Sequence, residues 1–364
     1  MKNSFGQSII ITVFGESHGD AVGAVIDGLA PGIPVDRSFI ESQLGLRRPS
    51  GRTGTARREE DRFEIVSGVF SGMTTGTPLC IMIPNTSAKS SDYESIKDLA
   101  RPGHADFTAN EKYHGFQDYR GGGHFSGRVT AAVVAAGAVI ISALKIKDIR
   151  IGTHIFRCAG IGDRGFGDYG PDIDKLNSMD FAVLDPEAGI MMRDRIEAIA
   201  AEGDSTGGIL ETAVIGLPAG IGEPWFDSAE SVISHAVLSI PGIKGIQFGD
   251  AFDMADAKGS EFNDPFTVDE DGKIVTVTNH NGGVNGGITN GMPLVFRSMV
   301  KPTPSISRTQ YTVDFVNRKN REISVTGRHD PAIIHRARVV VDSLTAFCLA
   351  DLLTEHFGTD YLCK

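Results

Sequence analysis

The chain has 364 residues, 35 of them Lys or Arg and 46 Asp or Glu, for a formal net charge of −11. That sign excludes a protein held on nucleic acid or an anionic membrane by a general positive field. Apolar residues at 41 % and charged residues at 22 % exclude general disorder. Glycine is abundant, 44 of 364, without collagen-like period or low complexity, so glycines are expected in turns, bulges and close backbone approaches.

In chain order, β-branched or alternating runs predict strands at 8–14, 22–27, 63–66 and 79–84. The segment 126–145 is apolar nearly all round, which predicts a helix buried between layers. Its apolar stretch, 129–144, falls short of the roughly 20 residues of a membrane span. A strand at 149–155 and a helix at 186–201 follow, the helix with a wet face carrying Glu187, Arg193, Asp194, Arg195 and Glu197. Then come a strand at 210–217, a helix at 228–238, strands at 273–278 and 294–299, and a last helix at 331–353, where Val339, Val340, Leu344, Phe347 and Leu352 recur at helical spacing. Gly127-Arg128 and Gly327-Arg328 each open an apolar helix, a hint of two related β-α-β halves. No Pro- or Ser-rich linker divides the chain, so a single domain over 1–364 is expected. Its class is α/β (α+β), with sheets sandwiching helices.

Cys80, Cys158, Cys348 and Cys363 form no CxxC pair and no zinc-like spacing, so no metal site is expected and the thiols read as those of a reducing compartment. The N-terminal apolar run is too short for a signal peptide. The expected location is the cytoplasm.

Six constellations carry chemistry-bearing side chains. Gly15-Glu16-Ser17-His18-Gly19 follows a strand and presents His18, whose ordinary pKa near neutrality suits acid–base work, or which is simply a capped or solvated turn residue. Arg47, Arg48, Arg52, Arg57 and Arg58 crowd twelve residues of an acidic protein, interleaved with Pro49, Gly51 and Gly54. They read as a loop that clamps a polyanionic small molecule. A solvated basic loop is the bland reading, and RNA binding lacks the stacking aromatics it would use. Arg101-Pro102-Gly103-His104-Ala105-Asp106 sets a second histidine beside a cation, by chemistry or by structure. Arg120-Gly121-Gly122-Gly123-His124-Phe125-Ser126-Gly127-Arg128 feeds a helix N-terminus suited to phosphate, with Ser126 open to a plain N-cap role. Asn279 to Gly291 interleaves Asn, His and Thr with glycines, either around a planar ligand or as a flexible surface loop. In Gly327-Arg328-His329-Asp330-Pro331, Asp330 is either a chemical group or the cap of the helix that Pro331 starts.

GESHG at 15–19, RRP with Arg52 beyond it, RPGHAD at 101–106, Ser-Gly-Arg at 126–128, SIPGIKG at 239–245, NGGVNGGITNG at 281–291, KPTPS at 301–305 and GRHDP at 327–331 stand in the order found in chorismate synthases. Single motifs are weak signals; eight in register over nearly the whole chain resemble that family. The resemblance implies a β-α-β sandwich and a homotetramer. It implies an anti 1,4-elimination of phosphate from 5-enolpyruvylshikimate 3-phosphate, giving chorismate, that requires reduced FMN without net redox change. A net-redox flavin oxidoreductase is the alternative. NADPH or an external flavin reductase would supply the reduced flavin.

Residue by residue, the resemblance assigns His18 to protonation of the departing phosphate, His104 to the flavin's protonation state and Asp330 to proton removal from the ring. Arg47, Arg52, Arg101, Arg128 and Arg328 fall on the substrate clamp. Flavin contacts fall on His124, Phe125, Ser126, Pro241, Gly242, Gly286, Lys301, Pro302, Thr303, Pro304, Ser305 and Arg328. This chain departs from the family at His124-Phe125, where Arg-Ser is usual, at Pro241-Gly242, where Asn-Ala is usual, and at Pro304, where a hydroxyl residue is common.

Overall fold

Two antiparallel five-stranded sheets enclose a layer of helices in the computed structural model, which describes residues 2–48, 61–86, 91–324 and 330–363. The first sheet runs Ser4–Phe5, Ile10–Gly15, Ala21–Asp27, Leu79–Pro84, Glu64–Ser67. The second runs Ile243–Phe248, Leu294–Val300, Gly208–Ile215, Arg150–Cys158, Ile161–Gly162. Alternation decides which face is covered. In Leu79–Pro84, Leu79, Ile81 and Ile83 are buried and the residues between them are only partly covered.

Between the sheets lie the central helix Thr130–Ile146 and the C-terminal helix Ile334–Phe357. The central helix packs on Ala21–Asp27 and Leu79–Pro84; the C-terminal helix packs on Arg150–Cys158 and Gly208–Ile215. The two helices also pack on each other. They meet at Gly137, where an added Cβ would lie 2.4 Å from Ser343 Cβ, so only glycine permits this approach. Residues Gly127–Ile146 are long and apolar enough to cross a membrane, but 78 % of the apolar window is buried inside the protein, where it forms the core of the sandwich. The two ends of the chain are tied by Asp351, whose carboxylate accepts the backbone N–H groups of Gln7, Ser8 and Ile9 at 2.7–2.9 Å.

Each predicted strand and helix has a counterpart, with shifted ends. The central helix begins after a 3₁₀ turn at Gly127–Val129, and the last helix begins at Ile334, not at 331, and runs on to Phe357. The sequence reading missed helices Arg37–Arg47, Asp106–Tyr113 and Tyr169–Leu176. It also missed the strand Ile243–Phe248 and the hairpin Gln310–Asp314/Lys319–Ile323. These are short, polar or glycine-interrupted segments in which tertiary packing overrides local propensity.

Candidate active site

The turn that carries His18 is built by its neighbours. Ser17 N–H donates to Gly123 O at 3.1 Å and Ser17 Oγ donates to Arg120 O at 3.1 Å. Gly121, Gly122 and Gly123 all have positive φ (60°, 85° and 53°), and a Cβ on Gly121 would lie 2.5 Å from His18 Cδ2. The triple glycine therefore lets backbone lie flat against the imidazole. His18 is 9 % exposed and its ring meets the edge of Tyr93 at 5.2 Å. The Arg101 guanidinium also lies over Tyr93, 5.8 Å from the ring centre. Arg101 is held by Asp106 through Nε (2.8 Å) and Nη2 (2.7 Å), a bidentate pair that fixes its plane.

His104 sits in the turn after Arg101, and its Nε2 lies 2.8 Å from Ser305 Oγ. Lys301 Nζ donates to Gly103 O at 2.7 Å, and Lys301 N–H donates to Gly242 O at 2.9 Å. His104, 301–305 and Gly242 thus form one assembly. Within it Thr303 Oγ1 is buried without a hydrogen-bond partner.

A second group gathers around Asp61. Its fully covered carboxylate receives Arg47 Nη2 at 3.2 Å and Arg128 Nη1, with Arg48 Nε at 3.9 Å. Arg128 Nε donates to Asn85 Oδ1 at 2.9 Å. Arg336 Nε donates to Arg47 O at 2.7 Å and Arg336 Nη1 pairs with Asp330. Arg47 is 5 % exposed. Burial pushes its pKa down to about 10, against the pull of Asp61 and with the help of the Arg336 and Arg128 charges. Among the described residues, guanidinium charge here exceeds carboxylate charge.

Three expectations are corrected. Arg47 belongs to no loop: it is the buried last residue of the helix Arg37–Arg47, whose cap is Asp36. Asp330 caps no helix, because the last helix starts four residues later and the Asp330 carboxylate is taken by Arg336. The 281–291 segment is no floppy loop: Val284–Asn285 pairs with Ile288–Thr289 across Gly286-Gly287, and Asp264 pins His280 and Asn281 at 2.8–2.9 Å. Gly286 is at the exposed tip of that hairpin, which packs on the 220–229 segment.

The remaining predicted residues fall as follows. His124 Nδ1 lies 2.7 Å from Gly15 O, the end of the strand that leads to His18. Phe125 is 41 % exposed, its ring edge-on to Tyr113 at 6.1 Å. Ser126 does act as a cap, accepting from Arg128 N–H at 3.3 Å. Pro241 and Pro302 are exposed, and Pro304 lies against Gly103. Arg52 and Arg328, with Arg57 and Arg58, lie outside the described residues. The sequence reading missed Asp61, Asn85, Tyr93 and Arg336. Only Asp61 had a local signal, as the last of three consecutive acids, Glu59, Glu60 and Asp61, that close an arginine-rich stretch.

Fold and site together define an α+β protein in which buried arginines gather beside carboxylate and histidine side chains. The chorismate synthase family model matches residues 9–354. The chain is 44 % identical to the chorismate synthase of Methanosarcina mazei over 350 residues, 96 % of this chain and 95 % of that one. It is 42 % identical to that of Lachnoclostridium phytofermentans over 366 residues, covering 100 % and 98 %. A crystal structure of chorismate synthase matches with a TM-score of 0.75 at 26 % identity, over 98 % of this chain and 95 % of that chain. The chain belongs to the chorismate synthase family, lyases of the shikimate pathway.

Proposed function

We propose that this chain catalyses the anti 1,4-elimination of phosphate from 5-enolpyruvylshikimate 3-phosphate to give chorismate, with reduced FMN required and no net redox change. The observation that carries this reading is the gathering of Arg47, Arg128 and Arg336 on Asp61 and Asp330, joined through Asn85 to the turn that bears His18. A substrate with one phosphate and two carboxylates, and a cofactor with another phosphate, need such a group of guanidinium side chains.

The residues fit a flavin. Thr303 offers a buried hydroxyl without a partner, Gly242 and Gly286 have no side chain to block approach, and the Nε2 edge of His124 is left for a phosphate once Nδ1 is used. Ser126 and 301–305 complete the holding set, with Arg328 by family position. Bound reduced flavin would supply transient electron density that eases loss of the allylic phosphate.

The chain's own part is binding and proton transfer. Arg47, Arg52, Arg101, Arg128 and Arg328 hold the anionic groups. His18 donates a proton to the leaving phosphate from its shielded position against Gly121 and Tyr93. His104, aligned by Ser305, keeps the flavin correctly protonated. Asp330, oriented by Arg336, takes part in removing the ring proton. We also infer a cytoplasmic homotetramer: Trp225 and Phe226 are 83 % and 88 % exposed, apolar surface of the kind that subunit contacts cover. The four cysteines are free thiols, and burial pushes Cys158 up to about 12, which makes it inert.

The test is an anaerobic assay with substrate and limiting reduced FMN. Many phosphates released per flavin, with the flavin still reduced, is the expected outcome. One flavin oxidised per product would establish the net-redox oxidoreductase. Absorbance of FMN mixed with NADPH and enzyme alone tells whether the chain reduces its own flavin or depends on an external reductase.

A further inference from the structure

Asn85 follows the last residue of Leu79–Pro84 in the first sheet, and its backbone N–H extends the ladder to Asp20 O at 2.9 Å. Its side-chain amide has two donor hydrogens and one acceptor oxygen, and the structure uses all of them. Nδ2 donates to Glu16 O at 2.9 Å and to Gly19 O at 2.8 Å, the two carbonyls that bracket Ser17-His18. Oδ1 accepts from Arg128 Nε at 2.9 Å. Arg128 in turn has Nη1 on Asp61 and Nη2 on Pro84 O at 3.3 Å. One amide therefore fixes the turn that carries the general acid relative to an arginine of the anion clamp.

The geometry points to Asn85 as a positioning residue for the elimination, holding His18 in register with the phosphate that Arg128 binds. This assignment rests on the function proposed above. Its consequence is asymmetric. Arg128 keeps Asp61 and Pro84 O as partners when Asn85 is cut back, so substrate binding changes little. The 16–19 turn loses two side-chain hydrogen bonds at once, so the proton donor drifts. A misplaced donor costs turnover, because proton transfer needs hydrogen-bond reach.

The experiment compares Asn85→Ala and Asn85→Asp with the wild type, alone and combined with His18→Ala. Asn85→Asp retains an acceptor for Arg128 but turns carboxylate oxygen toward the two carbonyls. Both variants are expected to lower kcat roughly 30-fold, less than the roughly 100-fold or more for outright loss of a general acid, with KM within about threefold. On the His18→Ala background, Asn85→Ala should change kcat by less than about twofold, since the two act as a unit. In protein without flavin or substrate, NMR signals of the His18 ring, set by the Tyr93 edge, should move in Asn85→Ala while those of His104 stay.

A kcat within twofold of wild type, equal losses in kcat and KM, or an undiminished loss on the His18→Ala background overturns the assignment. Unmoved His18 signals in Asn85→Ala also overturn it. If the wild type releases no phosphate yet the His18 signals still move, the proposed function fails while the placement of His18 by Asn85 stands.

Discussion

Two buried charge clusters follow different rules. In the second sheet His154, Glu211 and Arg297 face one another on three neighbouring strands. His154 Nδ1 lies 2.9 Å from Asp163, its Nε2 lies 3.0 Å from Glu211, and Glu211 receives Arg297 Nε at 2.8 Å. With His154 protonated, two cations meet two anions, and both imidazole nitrogens and both Glu211 oxygens find partners inside the chain. Burial alone would push His154 down, but the bonds to Asp163 and Glu211 win and hold it above its ordinary value. Around Asp61 and Asp330 the balance is different: among the described residues Arg47, Arg128 and Arg336 are three cations over two carboxylates, with Arg48 at the margin. A cluster balanced within the chain serves stability, whereas one with more guanidinium than carboxylate suits the anion-binding role proposed above.

The sharpest way to break the comparison is to remove a carboxylate from the guanidinium-rich cluster. Asp61→Ala leaves buried guanidinium uncompensated and should destabilise the fold by about 3–5 kcal/mol. Denaturant unfolding checks it, and a loss below roughly 1 kcal/mol, the range of exposed pairs, would mean that water already neutralises these arginines. Next in size is His18→Ala, expected to slow turnover by roughly 100-fold or more, as for loss of a general acid, with FMN affinity nearly unchanged. Steady-state kinetics within twofold of wild type would make His18 a structural residue of the turn.

The smallest effect belongs to the balanced cluster and depends on pH. A histidine whose folded pKa is raised stabilises fully below its unfolded value of about 6.5 and loses that contribution as pH climbs through the folded value. Asp163 and Glu211 are held down by His154 despite burial, so their share is lost only on acidification. The melting temperature of the wild type should therefore exceed that of His154→Gln most clearly near pH 6, and the gap should narrow as pH rises. A gap that widens with pH would reverse the assignment of charge to His154.

The sandwich was legible because its main elements announce themselves: 126–145 is apolar all round, and the strands alternate or run apolar. The site was legible where a motif is local. GESHG, RPGHAD and KPTPS each placed a side chain that the structure brings into contact with another, as His104 meets Ser305. What stayed hidden is tertiary. Asn85 joins residues 16, 19 and 128 across two loops and a strand, and no local pattern marks an asparagine at a strand end as a tie. Arg336 looked like any polar residue of the last helix, yet it holds Asp330 and the backbone of Arg47. Asp330 next to Pro331 has the pattern of an N-cap, and the pattern misled because the helix starts later and a guanidinium competes for the carboxylate.

The difference between the guanidinium-rich and the balanced cluster is tested most directly by calorimetric titration of 5-enolpyruvylshikimate 3-phosphate into wild type, Arg128→Ala and Arg297→Ala, each checked for cooperative unfolding. Loss of a charged hydrogen-bond partner of the substrate should weaken binding about tenfold or more in Arg128→Ala, and Arg297→Ala should bind as wild type does. Unchanged affinity in Arg128→Ala, or an equal loss in Arg297→Ala, would contradict the account.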